Sequence, residues 1–134
     1  MGEESKGEWI EVLKVSVEPN ECPLEAALRL RVEFEALRPV RGYWGISFLV
    51  DTIDKRHVVE LGRTQTEDFR GRSSFEFHVE KIDVDGIEPS DLANCGLLIA
   101  SLEEEKGGAL AKVNMVVEVT EGPRGLSRTI YAPI

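Results

Sequence analysis

The sequence predicts an all-β fold, a two-sheet antiparallel sandwich, and three runs of residues carry that expectation. Leu28, Leu30, Val32 and Phe34 alternate with Arg29, Arg31, Glu33 and Glu35. Phe75, Phe77 and Val79 alternate with Glu76, His78 and Glu80. Ala111, Val113, Met115, Val117 and Val119 make one wholly apolar face of a third run. A period of two sends one set to the core and the other to water. No segment sustains a helical period.

The elements follow in order. Residues 1–7 are polar and read as a frayed N-terminal tail, and residues 8–134 as a single domain. Ile10, Val12 and Leu13 to Val17 form a first strand that Pro19-Asn20 closes. Leu28 to Phe34 is a half-buried strand that Pro39 ends, and Tyr43 to Val50 is a denser apolar strand carrying Trp44. His57 to Leu61 is a short strand between Lys55-Arg56 and Gly62, and Phe75 to Val79 is another. Glu88-Pro89-Ser90-Asp91-Leu92 is a turn or one helical turn. Cys95–Leu102 and Ala109–Val119, joined by an acidic, glycine-ended connection, form a hairpin. Ser127 to Tyr131 is the last strand. Eight or nine short strands with turn signals every ~8–12 residues make an immunoglobulin-like topology the default. Leu30, Val32, Phe34, Trp44, Phe77, Val113 and Met115 are the expected core.

Composition narrows the partners. The net charge of −9, from 25 acidic and 16 basic residues, speaks against a nucleic-acid backbone, which needs a basic face. It is compatible with a basic protein. Cys22 and Cys95 are too few for a disulfide framework, and both are expected to be buried or half-buried. No apolar segment follows Met1 as a signal peptide would, and no run is long enough to span a bilayer. A monomer in a reducing compartment, nucleus or cytoplasm, is the expectation.

Chemistry is sparse. His78 falls on the polar face of its strand, and His57 follows Lys55-Arg56 in a basic turn. Neither has cysteine or histidine at zinc-ligand spacing. Asp83-Val84-Asp85-Gly86 resembles part of a calcium loop, but in that frame Lys81 takes position one and Leu92 position twelve. A turn that tolerates Asp-Gly is the better account. Glu103-Glu104-Glu105 sits in a hairpin turn where water solvates it. The expectation is a non-enzymatic chain with no cofactor and no metal.

A binding surface is better supported. Opposite the apolar face of the third run stand Leu110, Lys112, Asn114, Val116 and Glu118. In Leu97-Leu98-Ile99 both faces of the strand are apolar, so one points away from the core. Lys112 and Val116 are therefore outward positions, as is one face of Leu97-Leu98-Ile99, covered either by a partner or by a loop of this chain.

The motifs, in their order and spacing, resemble the conserved core of the anti-silencing-function histone chaperones. Phe34-Glu35-Ala36-Leu37-Arg38-Pro39 resembles that family's F-E-x-L-x-P, with Trp44 as the tryptophan that follows. Val12 to Val17 resembles its opening strand, Glu60-Leu61-Gly62 its Leu-Val-Gly, and Phe75-Glu76-Phe77 its Phe-x-Phe. Ile87 to Leu92, Leu110-Ala111-Lys112-Val113 and Pro123-Arg124 with Ser127 to Ile130 continue the series. The resemblance implies an immunoglobulin-like fold that binds the dimer of histones three and four. A histone-three helix would pack on an apolar and charged patch, and the histone-four tail would add a strand. By position it puts Leu97, Lys112 and Val116 on the helix contact, and Leu126 and Arg128 on the tail-pairing strand. Asp51 and Asp54 stand where the family has an acidic loop, here shortened. Lysine in place of the contact arginine loses a bidentate fork, and valine in place of a contact tyrosine loses a ring and a hydroxyl. The family's helical insertion before the last strand is missing. A divergent relative with an altered surface is implied, and a helix or strand from a non-histone partner is the alternative.

Overall fold

The computed structural model describes residues 8–52, 54–93 and 95–133; the predicted tail and Ile134 lie outside the described residues. The strands are β1 (Ile10–Glu18), β2 (Cys22–Pro23), β3 (Leu28–Asp51), β4 (Arg56–Arg63), β5 (Glu67–Val79), β6 (Cys95–Glu104), β7 (Ala109–Gly122) and β8 (Gly125–Tyr131). One helical turn, α1 (Pro89–Leu92), precedes β6. All pairings among them are antiparallel. The hydrogen-bonded order is β1-β3-β6-β7-β8-β2, with β4 and β5 also paired to β3. The fold is the expected all-β sandwich, made by a sheet that curls on itself.

The curl comes from β3, and here the sequence reading needs correction. Pro39 does not end the strand, which runs 24 residues from Leu28 to Asp51. Pro39 marks its bend instead. Pairing with β1 stops at Ala36, and the register with β5 shifts between Ala36 and Val40. A residue without an N–H is tolerated where the ladder is already interrupted. Before the bend β3 pairs with β1 and β5; beyond it β5 continues only from Val40 to Gly42, and β6 and β4 then take over. One strand thus serves both layers, and its inward residues line the whole core.

All seven expected core residues are buried, with Leu30, Val32, Phe34, Trp44 and Met115 fully enclosed. Phe34 meets Trp44 and Phe69 edge-on at 5.2 and 5.4 Å, and Trp44 stacks on Phe75 at 4.6 Å. Such pairs add to area burial. Phe69 belongs to the early part of β5, which begins eight residues before the predicted start. Gly71 and Ser73 occupy the inward positions between Phe69 and Phe75, so no apolar period is visible there.

Three smaller differences stand out. β2 escapes any periodic reading because it is two residues long. Cys95 is exposed, whereas Cys22 is half-buried as expected. His57 lies within β4 and points inward, its Nε2 3.7 Å from Asp91 Oδ2 on α1 with no hydrogen bond between them. Around Asp85 the chain turns as the Asp-Gly reading requires: its N–H donates to Asp83 Oδ1 at 3.0 Å.

Candidate functional site: an apolar row on the outer face

Inward alternation fixes the outward set. Phe48 and Val50 of β3, Leu98 of β6, and Met115 and Val117 of β7 are core residues. Leu49, Leu97 and Val116 therefore face out. Residues directly opposite in an antiparallel pair share a face, and the register aligns these three. Val58 pairs with Leu49, Leu49 with Leu97, Leu97 with Val116, and Val116 with Tyr131. Five apolar side chains on five adjacent strands form one row across the sheet. Val58, Val116 and Tyr131 are 54%, 46% and 50% exposed. Four strand spacings give the row a length of roughly 19 Å. An apolar row of this kind on a domain with a full core of its own is a candidate contact surface.

Charges flank the row on one side. Arg56 reaches Asp51 Oδ2 at 3.3 Å, and the Tyr131 hydroxyl donates to Glu118 Oε1 at 2.8 Å. That hydrogen bond and the glutamate charge hold the Tyr131 phenol above its ordinary pKa. On the other side a groove of about 650 Å³ opens over Gly45, Ser47 and Ser101, with Tyr43, Arg63 and Lys112 at its margins. Among the described residues no group of three or more His, Cys, Asp or Glu is arranged to hold a metal ion, and no helix is long and apolar enough to cross a membrane.

The sequence-derived candidates separate on this map. Leu97 and Val116 are direct cross-strand partners. Lys112 lies on the same face of β7 but four residues from Val116, about 13 Å along the strand. Asp51 shares the face and is already paired to Arg56. Asp54 is exposed in the β3–β4 turn. Val58, Leu49 and Tyr131 were missed. Alternation within each strand reveals which residues face out, but only inter-strand register aligns them.

Leu126 and Arg128 require correction as a strand-pairing edge. Arg128 is 1% exposed. Its Nη1 donates to the carbonyls of Leu24 and Ala26 at 2.8 and 2.9 Å, and its Nη2 to those of Ala27 and Pro19 at 2.7 and 3.3 Å. The side chain gathers the β1–β3 connection around itself. That connection covers the outer edge of β8: Cys22 and Pro23 pair with Arg128 and Ser127, and Leu24 N–H donates to the Leu126 carbonyl at 2.9 Å. Asn20 completes the cover as a side-chain substitute for a strand. Its Nδ2 donates to the Ile130 carbonyl at 2.9 Å, and its Oδ1 accepts from Ile130 N–H at 2.8 Å. With these bonds made, the edge offers no free ladder to an incoming chain.

No protein-family model matches the chain, and no curated protein matches it.

Proposed function

We propose that this domain is a non-catalytic protein-binding module that holds an amphipathic helix across the outer face of its sheet. The row Val58–Leu49–Leu97–Val116–Tyr131 carries this reading. Strands stand ~4.8 Å apart, and helix residues three or four apart stand ~5–6 Å apart. The apolar stripe of a helix laid across the strands stays in step with the row. Its length of roughly 19 Å matches about 13 helical residues. The Asp51–Arg56 pair lies beside the row and Lys112 about 13 Å from it, and these charges would select the helix by its flanks.

The motif order that resembles the anti-silencing-function chaperones makes the dimer of histones three and four the first partner to test. Binding is measured at near-physiological salt, where weak attraction between an acidic domain and basic histones is screened. The parent is expected to bind. Leu97→Glu, at the centre of the row, is expected to lose about 1.5–3 kcal/mol, roughly 10- to 150-fold in Kd, with its melting temperature kept. Equal binding by parent and variant would reduce the association to charge.

A second reading is a helix-binding module for a non-histone partner. The covered β8 edge supports it, because only one of the two contacts implied by the resemblance has a free seat. Lys112 and Val116, in place of arginine and tyrosine, support it too. Failure of the parent to bind the histone dimer selects this reading.

A further inference from the structure

Gly42, Gly45 and Gly96 all lie in strands of the outer layer, and the fold explains two of them. A Cβ on Gly42 would collide with the Glu103 carbonyl oxygen, and one on Gly96 would stand 2.6 Å from the Leu49 carbonyl oxygen. Gly45 has no such reason. Its φ is not positive, and nothing lies within 4 Å of the place a Cβ would take. It sits inside β3, where glycine is entropically costly and a β-branched residue would strengthen the strand. A glycine in a strand interior marks a bulge, a tight bend or close approach by another group; the bulge here adds its extra residue to β4, between Glu60 and Gly62, which leaves close approach for Gly45.

Its neighbours indicate what approaches. Arg63 pairs with Gly45, Gly45 with Ser101, and Ser101 with Lys112, so the four form a cross-strand row about 13 Å along the strands from the apolar one, with Glu60, Ser47, Ile99 and Asn114 between them. Arg63 owes its place to a bulge. The β3–β4 register shifts between Ile46 and Ser47, which re-aims Arg63 to the outer face. There its guanidinium lies 4.3 Å over the Tyr43 ring. The Lys112 side chain makes no hydrogen bond or ion pair with the described residues. Two cations without carboxylate partners thus stand at the ends of a saddle about 14 Å long, with a glycine and a serine as its floor. Glu60 and Glu103 also line the groove, and Glu103 Oε2 accepts from Ser101 Oγ at 2.6 Å. Their charge limits the seat to a single acidic group and excludes a polyanion.

Building on the helix-binding reading above, we infer that Gly45 is the specificity-determining floor of this groove, and that the partner seats one carboxylate-bearing side chain over it, between Arg63 and Lys112. Chain bulk at position 45 then opposes binding while favouring the strand. Stability and affinity move in opposite directions.

The test uses a synthetic helical peptide of about 13 residues, with an apolar stripe and one flank of glutamates, and a second peptide with glutamines there. The whole domain is titrated with each, by fluorescence anisotropy and by backbone amide shifts. The glutamate peptide is expected to bind the parent at least about tenfold more tightly than the glutamine peptide, with shifts at Gly45 and Ser101. Gly45→Val is expected to weaken the glutamate peptide about tenfold or more while its Tm rises by roughly 2–5 °C. Gly45→Ala should fall between. A Gly45→Val protein that binds like the parent overturns the inference, and if Leu97→Glu still abolishes binding, the helix-binding reading stands without it. A lower Tm in Gly45→Val shows that the fold does need this glycine and also overturns it. Equal affinity for the two peptides removes the carboxylate. If the parent binds neither peptide, the helix-binding reading and this inference fall together.

Discussion

Replacing Arg128 with methionine tests how the sandwich closes its edge. The side chain satisfies four carbonyls of the β1–β3 connection. The Leu24 bond is fully buried, so its carbonyl would be orphaned at a cost of about 1–3 kcal/mol. The other three are part-buried and can turn towards water, at about 0.5–1.5 kcal/mol each. The gross loss is then about 3–7 kcal/mol. Part of it is returned. Burial pushes the Arg128 pKa down from its ordinary value, against an opposing Coulombic effect of Cys22, and its Nε is buried without a partner. Removing a charge held this way returns roughly 1–4 kcal/mol. A net loss of roughly 2–3 kcal/mol is expected from the urea midpoint of Arg128→Met. Arg128→Lys should also lose stability, because an ammonium donates from one point and cannot span a fork of four carbonyls. A local measurement accompanies the global one. With Cys95→Ser as background, Cys22 is the sole thiol, and its maleimide labelling should accelerate in Arg128→Met as the connection loosens. An Arg128→Met protein as stable as the parent, with unchanged Cys22 labelling, would refute the reasoning: the edge would then be held by the short β2 ladder and Asn20 alone.

Phe34→Ala should cost about 3–5 kcal/mol, since Phe34 is fully enclosed between Trp44 and Phe69; an unchanged melting temperature would contradict the packing described. Tyr131 should titrate above the ordinary tyrosine range, because its hydroxyl donates to Glu118 and the glutamate charge opposes the phenolate. The neutral phenol is the form the fold favours, so any stabilisation it gives is present below the ordinary tyrosine pKa and is lost as pH rises through the folded value. Ultraviolet difference titration in a Tyr43→Phe background, with and without Glu118→Gln, checks this: the glutamine variant should return the phenol towards its ordinary value.

Period-two alternation was enough for the fold class, for most strands and for the core, because a strand with one wet face must write that face into its sequence. It failed where the inward residues are small, at Gly71 and Ser73 of β5, and where a strand is too short to have a period, at β2. Pro39 misled for a different reason. Its missing N–H forbids a regular ladder, but a bend in a strand shared by two layers is itself a break in the ladder.

The site was legible only in part. Lys112 and Val116 could be assigned outward from their own strand, whereas Leu97, in a strand apolar on both faces, is placed by the resemblance. Their sequence could not align Leu97 with Leu49, Val58 and Tyr131, which stand as far as 82 residues from one another. Arg128 shows the converse. The resemblance puts it on a pairing edge, but carbonyls about 100 residues away enclose it. Which side of each strand meets water is written locally, by alternating solvation along the chain. Which exposed residues stand side by side, and which edge is closed, is not. Those are properties of register and of long-range hydrogen bonds, and both arise only when distant strands pair.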